Sequence, residues 1–332
     1  MIKTVYDVTS AGKPDAPAIG APGRLWLTYA GLKKLTDDTL AALNAVGIGR
    51  GDRVAMVAPN GPEMASSFIA VASGTSSAPL NPAYRADEFE FYLDDLKPKA
   101  VIVQKGMDSP VRAMAEKVGV PIIELVPTED GPAGSFTLDV SALKPAQAAR
   151  PGTSADGEIA LVLHTSGTTA RPKIVPLSTA NLAASARHIA TSLALTPADR
   201  CMNIMPLFHI HGLIAATLSS LGAGASVSCT PGFNALRFFA QLEEVKPTWY
   251  TAVPTMHQAI LTRLRSHADA AKAAKLRFIR SSSASLPPQV MLELESAFDC
   301  PVIEAYGMTE AAHQMASNPL PPRERKPGAV GP

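Results

Sequence analysis

Residues 160–173 read ALVLHTSGTTARPK, an apolar run that turns into a loop of hydroxyls around one glycine and closes on Arg171 and Lys173. Residues 158–164 have the length and apolar continuity of a buried strand, and residues 179–193 carry helical spacing. The same beat repeats outward in both directions. Upstream, residues 28–46 place Leu32, Leu35, Leu40 and Leu43 at helical intervals before Gly47 supplies a stop. Residues 53–58 (RVAMVA) form a short β-rich run that ends at Pro59-Asn60-Gly61. Helix 63–72, the extended APLNP, helix 88–96 and strand 100–104 follow. Downstream come strand 201–205, a buried helix 213–221, strand 226–229, helix 236–245 and strand 248–253. Helix 255–265, strand 276–281, helix 288–298 and strand 302–305 complete the series. Such alternation calls for parallel strands with crossover helices, an α/β architecture. The pattern weakens over residues 105–157, which read as a peripheral excursion holding one strand in VPIIELV. Two packed α/β subdomains are expected, with largely parallel sheets flanked by helices, divided as 1–200 and 201–332.

Composition narrows the function classes. The chain has 332 residues, 46% hydrophobic and 18% charged, so it has the apolar content for a sizeable core and lacks the signature of disorder. A net charge of +1 gives no electrostatic reason to expect nucleic acid or a membrane surface as partner. Cys201, Cys229 and Cys300 lie far apart with no CxxC pair, which fits reduced structural thiols. The start lacks the apolar core of a secretory signal. Residues 212–236 carry no charge but are interrupted by Gly222, Gly224 and Pro231, which suits a buried helix and strand better than a span. A soluble cytoplasmic protein is the expectation.

The loop has its own chemistry. Thr165, Ser166, Thr168 and Thr169 around Gly167 can present hydroxyl donors and closely approaching backbone N–H groups to phosphate oxygens, with Lys173 as a mobile point charge. It is not a Walker loop, because GxxxxGK[ST] is absent. A solvated Ser/Thr turn has the same composition; the buried strand before it and the two cations after it favour phosphate. A second cluster, Glu304-Ala305-Tyr306-Gly307-Met308-Thr309-Glu310, reads as a strand end with a tight turn at Gly307. It gathers a ring that can stack on a base, a hydroxyl, and a carboxylate of the kind Mg²⁺ prefers. A core tyrosine followed by helix-capping residues is the plainer alternative. Residues 281–288 (SSSASLPP) follow a strand and also have ordinary capping chemistry.

HTSGTTARPK resembles the phosphate-binding signature of the adenylate-forming superfamily of acyl- and aryl-CoA synthetases, peptide-synthetase adenylation domains and luciferases. Pro206-Leu207-Phe208-His209 with Gly212, and EAYGMTE, resemble its other motifs in the same order, and LTYAGLKKL, GIGRGDRVAMVAPN and APLNPAY extend the likeness over nearly the whole chain. Ala170 and Ile174 depart from it, standing where the family usually has glycine. The resemblance implies ATP and Mg²⁺ as cofactors and coenzyme A as cosubstrate. It implies nucleotide contacts at Thr165, Ser166, Gly167, Thr168, Thr169, Lys173, Ser283, Glu304, Ala305, Tyr306, Gly307, Met308 and Thr309. The metal falls to Glu310, and catalytic roles to Thr165, Lys173, His209 and Glu310.

The nature of the acid is suggested by the residues gathered around the expected acyl pocket. PLFHIHG, TAVPTMH, RFIRSSSAS and MTEAAH bring His209, His211, His257, Arg280, Ser283 and His313 to a place where a fatty chain would want leucine and glycine. Unpaired donors around a hydrocarbon would each cost roughly 1–3 kcal/mol. These segments are similar to the oxalate–CoA ligase branch, which implies substrate contacts at His209, Ser283 and His313; malonate-type synthetases are the alternative. His211 and His257 are equally open to a structural role, and His188 and His267 are expected on helix faces. The family continues into a small C-terminal domain with further catalytic residues, of which there is no match here, so this chain alone is expected to turn over poorly. A carrier protein as acyl acceptor, or a non-catalytic nucleotide-binding remnant, are the competing readings.

Overall fold

A computed structural model describes residues 2–165 and 172–331. The strands are β1 (Pro17–Gly20), β2 (Leu27–Thr28), β3 (Arg53–Val57), β4 (Ser76–Pro79), β5 (Ala100–Gln104), β6 (Ile122–Pro127), β7 (Phe136–Asp139) and β8 (Ile159–His164). They continue as β9 (Ile174–Ser178), β10 (Arg200–Asn203), β11 (Ser226–Cys229), β12 (Trp249–Ala252), β13 (Phe278–Ser281), β14 (Val302–Met308) and β15 (His313–Ser317). Among the described residues they form a seven-stranded sheet, β7-β6-β5-β3-β4-β8-β9, and an eight-stranded one, β15-β14-β13-β12-β10-β11-β1-β2. Interior pairs are parallel in both, and the outermost pair at each edge is antiparallel. The interior strands AVIVQ, SVSC and WYTA are buried nearly throughout, as parallel strands covered on both faces must be.

The helix Pro62–Ala72 joins the two layers. All its residues except Glu63 are buried, and it packs on β4 of one sheet and on β1 and β11 of the other. A helix apolar on every side belongs in an interior, not on a surface. The helix Tyr29–Asn44 is instead one-sided; Thr28 caps it by accepting from the Gly31 N–H, and Leu32, Leu40 and Leu43 face the core.

Several expectations need correction. The sheets do not divide cleanly at residue 200: β1 and β2 cross over, β1 lying parallel beside β11, because its Ala18 and Ile19 are fully buried there. The excursion over 105–157 holds β7 and the helix Val111–Lys117 as well as β6. The helix expected over 213–221 starts at His211 as a π-helix to Leu218 before tightening over Ser219–Gly222. Gly307 does not turn the chain. β14 runs through it to Met308 and pairs antiparallel with β15, and the turn falls at residues 309–312. Glycine is needed at 307 because a Cβ there would overlap the His313 carbonyl oxygen.

Candidate active site

Both sheets present the carboxyl ends of their parallel strands to one crevice. β10 leads to β11 on one side and neighbours β12 on the other, so the strand order reverses at β10, the place where open α/β sheets bind ligands. A cavity of about 510 Å³ opens there. Thr165 enters it from the end of β8, Met205, His209 and His211 from the segment after β10, and Val253 from the end of β12. Ser283 arrives after β13, Gly307 and Met308 lie on β14, and Thr309, Glu310 and His313 sit in the hairpin that follows. A second cavity, about 260 Å³, shares Thr165, His209, Ile210 and Thr309 with the first and adds Tyr84, Tyr92 and His164.

The structure gathers most of the residues singled out in the sequence. Thr165 and Lys173 face each other across the neck of the hydroxyl loop: the Thr165 N–H donates to the Lys173 carbonyl at 3.0 Å, and the Lys173 N–H to Thr165 Oγ1 at 3.2 Å. Ser166, Gly167, Thr168 and Thr169 lie outside the described residues. Tyr306 is 49% exposed on β14, so its ring is open to a stacking partner. Glu304 and Ala305 are held in β14 by contacts of their own. The Glu304 carboxylate is buried and accepts from the Gly328 N–H at 3.1 Å, and the Ala305 carbonyl accepts from Ser282 Oγ at 2.8 Å. Burial raises the Glu304 carboxyl above its ordinary value, against the Gly328 N–H.

The hairpin sets His313. Ala312 and His313 adopt φ of 53° and 106°, values that L-residues rarely take, and Ser185 Oγ donates to the Ala312 carbonyl at 2.6 Å to hold the bend. His313 is thereby buried beside the cavity, its ring 5.0 Å from that of His211, and its Nδ1 has no partner among the described residues. His209 is exposed to the cavity, and burial lowers its pKa. Beneath these lies a part of the site that motif reading caught only in outline. Arg280 on β13 is fully buried, and the groups its guanidinium reaches are neutral: Thr251 Oγ1, His211 Nε2 and Gln314 Oε1. No described carboxylate pairs with it. Burial pushes its pKa down to about 9. Burial first, then the positive potential of Arg280, keeps His313 neutral; burial, His313 and Arg280 do the same for His211. Thr251 opens TAVPTMH and Gln314 follows MTEAAH, but neither is singled out there, since a threonine inside a strand looks like any other.

Of the remaining histidines, His257 is wholly buried with Nδ1 3.3 Å from the Tyr250 hydroxyl, and His267 stacks on Phe239. Both are structural, and His188 is exposed on its helix. The cysteines are free and buried. Among the described residues no helix is long and apolar enough to cross a membrane.

A comparison of families finds a match over residues 6–332 to the AMP-binding enzyme model. The chain belongs to the AMP-binding enzyme family. It is 43% identical over 324 residues to an oxalate–CoA ligase of Arabidopsis thaliana, covering 96% of this chain and 62% of that protein. An oxalate–CoA ligase of Saccharomyces cerevisiae is 38% identical over 307 residues, covering 85% of this chain and 55% of its own. Among solved structures, ATP-bound MatB from Rhodopseudomonas palustris superposes with a TM-score of 0.85 at 29% identity, over 100% of this chain and 64% of that one. The chain thus spans about three fifths of the length of such relatives.

Proposed function

We propose that the protein of which this chain forms the AMP-binding part activates a small dicarboxylate, oxalate above others, and passes it to coenzyme A. The observation that carries this reading is the polar floor of the cavity, Ser283 and His313, with a fully buried guanidinium behind them that no described carboxylate pairs. Such a site is electrostatically incomplete until an anion arrives, and a hydrocarbon there would leave its donors unpaired. The relatives named oxalate–CoA ligases support the same choice.

In the first half-reaction one carboxylate of the acid attacks the α-phosphorus of ATP, pyrophosphate leaves, and an acyl adenylate forms. The CoA thiol then attacks the acyl carbon and AMP departs. Catalysis of the first step is mostly positioning and charge stabilisation. Thr165, Lys173 and the hydroxyl loop would hold the phosphates, Tyr306 would stack on the base, and His209, Ser283 and His313 would bind the acid. Glu310 suits Mg²⁺: it is an exposed carboxylate at the cavity with no partner among the described residues, and Mg²⁺ commonly takes one or two protein carboxylates and completes its shell with phosphate and water. Bound there, the ion would neutralise charge on the phosphates. Malonate differs by one methylene, which a pocket discriminates by only about 1–3 kcal/mol. AMP release by the full-length protein that requires both oxalate and CoA tests the proposal; release with octanoate and not with oxalate would refute it.

A further inference from the structure

Within this substrate reading, Ser283 is more than a neighbouring hydroxyl, because its proton has a direction. Ser283 Oγ lies 3.0 Å from His211 Nδ1, and His211 Nε2 lies 2.7 Å from Thr251 Oγ1. Behind them Arg280 Nη1 points an N–H at both Thr251 Oγ1 and His211 Nε2, each at 3.4 Å. Its other arm donates to Gln314 Oε1 at 3.0 Å, and Gln314 Nε2 donates to Ser192 Oγ at 3.0 Å, so the guanidinium plane is fixed.

These contacts have one consistent assignment of protons. A guanidinium has only donors. Nε2 of His211 must therefore turn a lone pair towards Arg280, since two N–H groups facing each other would repel in a buried site. The Thr251 hydroxyl accepts from Arg280 and donates to the same Nε2. A neutral imidazole with an unprotonated Nε2 carries its proton on Nδ1. Nδ1–H then donates to Ser283 Oγ, whose own proton has no protein acceptor among the described residues and is left to the cavity. Ser283 is held there at φ 73°, a conformation serine adopts only under constraint.

We propose that Arg280 and Thr251 are positioning residues that fix His211 in its Nδ1–H tautomer, so that Ser283 is presented to the cavity as a hydrogen-bond donor for the non-reacting carboxylate of the acid. The buried charge acts through the relay and not by contact: Arg280 is fully buried and does not line the cavity. Burial and the positive charge of Arg280 both disfavour the imidazolium, so the relay holds one neutral form through the neutral range.

Nitrogen-15 spectra of histidine-labelled protein test the relay without substrate. The chain has seven histidines, and the His211 signals are assigned by their loss in His211→Gln. The expected result is a protonated Nδ1 and an unprotonated Nε2 in the parent chain, with the opposite or a mixed form in Arg280→Met. Thr251→Val keeps the charge and volume while removing the hydroxyl, and should also mix the tautomers. Loss of one donor to a charged group corresponds to roughly a ten- to hundredfold weaker oxalate affinity in both variants, with ATP affinity unchanged. A parent His211 protonated on Nε2, or an Arg280→Met protein that keeps Nδ1–H, would overturn the relay. The expected tautomers without oxalate binding would uphold the relay and refute the substrate reading.

Discussion

The buried histidines make the fold acid-sensitive by an amount that can be worked out for one of them. His257 sits in the helix Pro254–Thr262, is 0% exposed, and burial pushes its pKa down to about 4. In the unfolded chain the same imidazole titrates near about 6.5. Between those two values the unfolded state binds more protons than the folded one, so stability falls as pH falls through the window. At pH 5 the unfolded imidazole is almost fully protonated and the buried one about a tenth so, which makes the loss from pH 7 to pH 5 about 2 kcal/mol. His211 and His313, also lowered by burial, add losses of the same sign. Urea unfolding of the parent chain and of His257→Leu at pH 7 and pH 5 isolates the contribution. The variant loses the contact with the Tyr250 hydroxyl, a pH-independent cost of about 1–3 kcal/mol. Its loss between the two pH values should nonetheless be smaller than the parent's by about 2 kcal/mol. Equal losses in the two proteins would mean that His257 is not held neutral by burial, and the reasoning would fail.

Three further outcomes are expected. Gly307→Ala should cost about 1–3 kcal/mol in unfolding and weaken ligand binding, because the added Cβ drives β14 from the His313 carbonyl; Gly157→Ala, with open space around it, is the neutral control. Ser283→Ala should weaken oxalate binding by about 1.5–3 kcal/mol, read by calorimetry, and lower urea stability by about 1–3 kcal/mol because His211 Nδ1 loses its partner. Glu310→Gln should raise the Mg²⁺ concentration for half-maximal adenylation in the full-length protein by at least about tenfold, with no change in the KM for oxalate.

Local periodicity made the interior of the fold legible. Residues 226–229 and 288–298 match β11 and the helix Pro288–Phe298 end to end, because each is bounded by turn chemistry and carries an unambiguous period. What escaped was long-range. Nothing in PAIG says that β1 will pair with β11, some two hundred residues later, and nothing in HQMAS says that it folds back on β14. Gly307 reads as a turn residue, yet its need arises from the backbone of β15 pairing closely against it, which sequence alone does not reveal. The site shows the same limit. His209, Ser283, Glu310 and His313 stand in motifs and line one cavity, while the relay from Arg280 through Thr251 depends on β12 and β13 lying side by side.

The central claim, that a small dicarboxylate is activated at this cavity, is tested most directly by ATP–pyrophosphate exchange in the full-length protein across oxalate, malonate, acetate, benzoate and octanoate. The account predicts exchange with oxalate above every other acid, and its loss when Ser283 and His313 are both replaced by alanine. Strong exchange with octanoate and little with oxalate would leave the family membership standing and contradict the account of the cavity floor.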